Sequence, residues 1–206
     1  MLDWANHWAP YDEATYAAVL AAIGPRDVVL DIGAGDLRLT RRLARRARRV
    51  YAVEQQAEVV QRGLRAGPLP PNVGVAVADA RTWPFPAGVT VGVLLMRHCP
   101  DVALYMRKLR AVGARWLLTN ARWRLDVERV DLHAPRRPFA AVRLGWYACA
   151  CGAVGFVPGP PADLTPAVLD QVHEVRDCPA CRPQPQVTIP QPTLVGRTRG
   201  QDGKHG

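Results

Sequence analysis

Lysine is almost missing from this 206-residue chain, which has two lysines against 25 arginines. Phenylalanine and methionine are also scarce, at three each. Such lopsided use of arginine, beside plentiful Ala, Pro, Gly and Val, is what GC-rich codon usage produces. The formal net charge of +9 therefore permits a polyanionic partner without identifying one. Long apolar runs are absent too. The longest, such as Val89 to Met96, fall well short of the roughly 18 residues that cross a bilayer. The opening "MLDWANHWAP" has no charged stretch followed by an apolar one, as a secretion signal would. The expectation is a soluble cytoplasmic protein without a membrane partner, as a monomer or small homo-oligomer. Cysteines number only five, an odd count, and with no secretion signal this speaks against a disulfide scaffold.

What is present suffices for one domain and a small appendage, since 49% of residues are hydrophobic and can fill a core. Apolar positions at helical spacing predict a helix over residues 11–23, ended by Gly24-Pro25. "DVVLDIG" predicts a buried strand, and a helix over about 36–48 follows, with Leu39, Leu43 and Ala47 inward and Arg41, Arg42, Arg45, Arg46 and Arg49 outward. "RVYAVE", "GVAVADA", "GVTVGVLLMR" and "ARWLLTN" supply further strands, with "AEVVQRGLRA" and "DVALYMRKLRAV" as helices between them. This alternation predicts a doubly wound α/β fold with a mostly parallel, Rossmann-like sheet. "RVDLHAP" and "FAAVRLGWYA" are expected to close it. The predicted division is the main α/β domain over residues 1–145, a cysteine-bearing element over 146–183 and a Pro-rich tail over 184–206, the last too poor in apolar groups to bury a core.

Three acids mark the carboxyl ends of the first three strands. Asp31 precedes Gly33 and Gly35, where the lack of a side chain lets a ligand approach the backbone. Glu54 ends the second strand, 23 residues on, where a carboxylate accepts from two ribose hydroxyls. Asp79 ends the third, placed for an adenine amino group, with Ala80 or Arg81 offering a backbone N–H. Asp31 suits a cationic amino acid part. A dinucleotide site fits less well, because the last glycine of G-x-G-x-x-G would fall on Arg38.

The series Asp31-Ile32-Gly33-Ala34-Gly35-Asp36-Leu37, then Glu54, then Asp79-Ala80-Arg81-Thr82-Trp83-Pro84-Phe85, resembles the motifs of class I S-adenosylmethionine-dependent methyltransferases over about residues 11–145. One departure is Leu37, where the family motif has its third glycine. The resemblance implies S-adenosylmethionine as cofactor, held by Asp31, Gly33, Gly35, Glu54, Asp79, Ala80 and Arg97. It also places the methyl acceptor against "MRHCPD" after the fourth strand. The first two motifs look like those of ribosomal RNA adenine dimethyltransferases, yet the N-x-P-Y of amino-group methylation is replaced by Arg97-His98-Cys99-Pro100.

His98 is a candidate general base, and Cys99 either a nucleophile or an inert core residue. Asn120 faces the crevice or serves a turn; Trp4, Trp8 and Tyr11 stack on a base or pack the first helix. The arginine face of the second helix is solvated or tracks phosphates. Three acceptor readings stand at this level: an RNA base, a small molecule or peptide, or no acceptor at all in a non-catalytic nucleoside-binding module. Separately, Cys149 and Cys151, then Cys178 and Cys181 after 26 intervening residues, resemble a zinc ribbon. Four thiolates enclose zinc tetrahedrally and leave no open position, so this zinc is expected to be structural.

Overall fold

The computed structural model describes residues 11–97, 99–122 and 126–181. Asp12 caps the first helix, α1 (Glu13–Ala21), accepting from the Thr15 N–H at 2.7 Å and satisfying a donor with no partner inside the helix. A short β-branched strand follows, β1 (Val28–Ile32), then α2 (Arg38–Ala44), β2 (Arg49–Glu54), α3 (Ala57–Arg65) and β3 (Val73–Val77). After β4 (Val91–Leu94) come α4 (Val102–Ala111), β5 (Trp116–Thr119) and β6 (Glu128–Asp131). The six strands pair in the order β3-β2-β1-β4-β5-β6, and β6 alone runs antiparallel. This is the expected doubly wound sheet. Strand order reverses between β1 and β4, and such a reversal opens a crevice at the carboxyl ends of the strands.

Both faces are covered. Leu30, Ile32, Leu94 and Leu117 join one apolar cluster with α4 residues Val102, Tyr105, Met106 and Leu109. Val29, Val91, Val93 and Leu118 join another with Tyr16 and Val19 of α1 and Leu39 and Leu43 of α2. Alternate residues of one strand thus serve opposite layers, as a pleated backbone requires. Among the described residues no helix is long and apolar enough to cross a membrane.

Two expectations need correction. The second helix is shorter than residues 36–48, because the chain needs the positions before Arg38 for a tight turn with Leu37 in the left-handed region. "RVDLHAP" does close the sheet, through β6, but "FAAVRLGWYA" does not. Its first residues form a 3-10 turn (Phe139–Ala141), and Gly145, at φ 104°, begins β7 (Gly145–Cys149). This strand is the centre of a separate sheet, pairing antiparallel with β8 (Val154–Val157) and parallel with β9 (Val172–Val175), which follows the one-turn helix α5 (Pro166–Asp170). The pairing of Cys149 with Val175 brings both cysteine pairs to one end of that sheet.

A buried ion cluster ties the two sheets together. Arg122, whose side chain is 3% exposed, donates to Glu128 of β6 at 2.9 Å and to Glu174 of β9 at 2.5 Å. Arg136 reaches the same Glu174 at 3.3 Å. Two guanidinium groups around a shared carboxylate retain their charges in a dry environment only while the geometry holds. The cluster therefore specifies how the second sheet sits on the first.

Candidate functional site

The turn after β1 is held by the neighbouring strand. The N–H groups of Gly33 and Ala34 both donate to the Val53 carbonyl, at 2.9 and 3.1 Å. Gly33 (φ 71°) lies in the left-handed region, and a Cβ there would lie 3.0 Å from the Met96 methyl. From the other side α3 presses in at Gly63, where a Cβ would stand 2.3 Å from the Asp36 carbonyl oxygen. Only glycine permits this helix to brace the turn. Arg41 adds to the brace, donating to the carbonyls of Gly63 and Gly67 at 2.9 and 2.6 Å.

Leu37 shows how the chain accommodates its departure from a third glycine. It keeps the left-handed backbone (φ 64°), the only non-glycine among the described residues to do so, at a cost of roughly 1–2 kcal/mol. Its side chain is fully buried with Ala34, Ala52 and Val60. Leu37→Gly is expected to relieve the strain but empty that pocket, for which Leu truncations cost about 2–5 kcal/mol. The net loss should be about 2 kcal/mol in urea unfolding, and a gain in stability would overturn the packing argument.

Glu54, buried at the end of β2, accepts from the Gly35 N–H at 3.0 Å through Oε2 and from the Gln56 N–H at 2.9 Å through Oε1. Asp31 is 4% exposed, and its Oδ2 accepts from the Thr40 hydroxyl at 2.7 Å. Burial pushes its pKa up to about 6, Glu54 adds to the rise and the Thr40 hydroxyl opposes it. Asp79 is forked by Arg81, with contacts of 2.7 to 3.0 Å, and this hydrogen bonding holds its carboxyl below the usual range.

Asp31, Gly33, Gly35, Glu54, Asp79, Ala80 and Arg97 all line one cavity of about 780 Å³. Tyr11 and Tyr16 close its side. The Arg97 N–H donates to the Tyr11 hydroxyl at 3.2 Å, and the Arg97 guanidinium lies 5.5 Å from the Tyr11 ring centre. Cys99 is not among the lining residues. It is buried with Val102 and Tyr105, and desolvation pushes its thiol up, away from the nucleophilic thiolate. His98, Trp4 and Trp8 lie outside the described residues. Asn120 is buried beyond the last residue of β5.

Lys108 was not singled out from the sequence, although its being one of two lysines was a signal. It reaches from α4 to the loop after β3, donating to the carbonyls of Ala80, Arg81 and Trp83 at 2.5, 3.0 and 2.7 Å, with its ammonium 4.3 Å from the Phe85 ring centre. An ammonium can satisfy three acceptors at once, so this side chain shapes the loop that carries Asp79 and Ala80. Thr40 had no sequence signal, since only folding brings α2 under β1. The arginines of α2 are largely occupied within the molecule: Arg38 with Asp36, Arg41 as above, and Arg42 with Glu13 at 2.5 Å.

At the end of the small sheet, Cys149, Cys151, Cys178 and Cys181 have their sulfurs all within 4.8 Å of one another. The distances Cys149–Cys181, Cys151–Cys178 and Cys178–Cys181 are 3.7, 3.6 and 3.7 Å. No disulfide joins them. A tetrahedron with zinc–sulfur bonds of about 2.3 Å has edges of about 3.8 Å, so the donor set fits that ion. The short C-x-C turn is possible because Gly152 takes φ 94° and its N–H returns to the Cys149 carbonyl at 3.0 Å. The Cys178 N–H points at the Cys181 sulfur, 3.1 Å away.

Residues 29–114 match the family model described as a methyltransferase domain. No curated protein matches the chain. Among solved structures it is similar to precorrin 8W decarboxylase from Methanobacterium thermoautotrophicum, with 24% identity over 54% of this chain and 64% of that one and a TM-score of 0.47. The 23S rRNA methyltransferase ErmE gives 24% identity over 53% and 46%, with a TM-score of 0.45. A dimethyladenosine transferase from Plasmodium falciparum gives 22% over 52% and 41%, again with 0.45. The chain spans less than two thirds of the length of each.

Proposed function

We propose, from the match of residues 29–114 to the methyltransferase-domain model, that this is a class I methyltransferase whose crevice binds S-adenosylmethionine and delivers its methyl group to an acceptor beyond β4. The observation that carries this reading is the set of three carboxylates, Asp31, Glu54 and Asp79, on or just past three adjacent strands and facing one cavity. Each Glu54 oxygen already takes one backbone N–H and retains a second lone pair for a ribose hydroxyl. Asp31 holds the cationic amino acid part. Asp79 receives the adenine amino group once Arg81, whose side chain is 54% exposed, swings into solvent, and Ala80 offers its N–H to the ring.

The bound cofactor supplies a methyl group already activated on a sulfonium. The protein's own work is therefore to orient the acceptor, exclude water and, where the acceptor needs it, take up a proton. His98 and Cys99 remain the candidates for that last role by position, with the burial of Cys99 favouring a packing role.

For the acceptor we propose an RNA base, supported by the net charge of +9 and the four-thiol element. A small-molecule acceptor is favoured instead by the internal pairing of the α2 arginines, which removes much of a phosphate-tracking face. The four thiols we assign to a structural zinc ion, because a closed set of four ligands leaves no site for chemistry.

Calorimetry with S-adenosylhomocysteine tests the cofactor reading. A micromolar dissociation constant is expected, and the absence of heat with folded protein would overturn it. Transfer of labelled methyl into total RNA rather than into low-mass compounds tests the acceptor.

A further inference from the structure

The cavity residues on β1, β2 and β3 account for a nucleoside cofactor, yet the lining extends past them to Leu95 and Met96 after β4. The sheet register says which residues lie there. Asp31 pairs with Val93, and Val93 pairs with Leu118. Two residues further along each chain, just past the strand ends, stand Gly33, Leu95 and Asn120. Gly33 and Leu95 both line the cavity; Asn120 is buried next in the row and is not itself part of the lining. Asn120 extends this row by one strand spacing, about 4.8 Å beyond Leu95, on the side away from Glu54 and Asp79.

Asn120 is 2% exposed, and neither its amide nitrogen nor its amide oxygen has a hydrogen-bond partner. The adjoining Thr119 is by contrast fully paired. The Thr119 hydroxyl donates to the Leu94 carbonyl at 2.8 Å and accepts from the Ala121 N–H at 3.0 Å, completing the strand end without help from Asn120. A buried amide with an empty donor and an empty acceptor is costly to the fold. Leucine, of similar size, would fill the position at no such cost.

We propose that Asn120 is an acceptor-binding residue. Its amide pairs with a planar group that presents a donor and an acceptor side by side, the amide or amidine edge carried by nucleobases and by small heterocyclic lactams. The inference rests on the methyltransferase reading and deepens it. Asn pairs with such an edge through two parallel hydrogen bonds, which orients the ring as well as holding it.

Asn120→Leu separates this role from a structural one. Removing two unsatisfied buried atoms is expected to raise Tm by about 3–6 °C in the absence of acceptor. Affinity for S-adenosylhomocysteine should be unchanged. With labelled S-adenosylmethionine and two acceptor pools, total RNA and a low-mass extract of the native host, the half-saturating acceptor concentration should rise at least tenfold. Which pool is methylated identifies the source of the planar edge. A fall in Tm means that the amide serves the fold and overturns the proposal, whether or not either pool is methylated. Unchanged acceptor saturation also overturns it. Failure of the wild-type protein to bind S-adenosylhomocysteine strikes the methyltransferase reading instead, so the two failures are distinct.

Discussion

Removing metal with a strong chelator under reducing conditions is expected to unfold residues 145–181 while leaving the six-stranded sheet in place. The core beneath the small sheet contains four buried residues, Val142, Cys149, Val175 and Cys178, and two of these are thiol ligands. Apolar burial of that extent cannot offset the chain entropy of three short strands. Structural zinc sites contribute apparent binding free energies of about 10–16 kcal/mol, so on the proposed assignment the ion decides whether this element folds. Loss of β9 also removes Glu174 from Arg122 and Arg136, and breaking a buried ion pair costs about 3–5 kcal/mol more. The readouts are protease cleavage confined to residues 145–181 and a change in Trp146 fluorescence, since Trp146 stacks edge-on against Phe156 at 5.1 Å. A metal-free protein with four titratable thiols and unchanged protease resistance would refute the assignment. Cys178→Ser should reproduce the chelated state.

Asp31→Asn is expected to stabilise the ligand-free protein and to weaken S-adenosylhomocysteine binding about 100-fold. The asparagine oxygen can still accept from Thr40, so the change removes a charge with little change of shape. The raised pKa of about 6 means that the folded protein takes up this proton more readily than the unfolded chain. The stabilising contribution of protonation is complete below the unfolded value of 3.8 and is lost as pH rises through about 6. At pH 7 the buried charge thus costs about 3 kcal/mol, and Asp31→Asn should recover a part of it. In the proposed site the same charge meets the cationic group of the ligand, where losing one partner of a buried charge pair costs about 2–5 kcal/mol. Binding by the native protein should therefore weaken about tenfold between pH 7 and pH 5, as Asp31 takes up a proton. Asp31→Asn should lack that pH-dependent step. Equal pH dependence in both proteins would show that Asp31 does not meet the cation.

Much of the site was legible before folding was considered. Asp31, Glu54 and Asp79 could be placed because a β-branched run ending in an acid and glycine marks the edge of a parallel sheet. Cys149, Cys151, Cys178 and Cys181 could be grouped because two tight thiol pairs within an odd cysteine count point to metal binding rather than a disulfide scaffold. The fate of "FAAVRLGWYA" was not legible, since strand propensity does not say which neighbour a strand will pair with. Nor was the brace at Gly63, where the reason for glycine is a carbonyl oxygen 27 residues earlier in the chain.

Local spacing alone determined the alternation of strands and helices, the order of the three acids and the thiol pairs, because each depends on residues near one another in the chain. Only tertiary structure decided that Thr40 lies on Asp31, that Lys108 shapes the loop after β3, that Glu174 joins two sheets and that Asn120 is buried without a partner. Those facts depend on which distant groups share a small dry volume, and burial sets the strength of each interaction there.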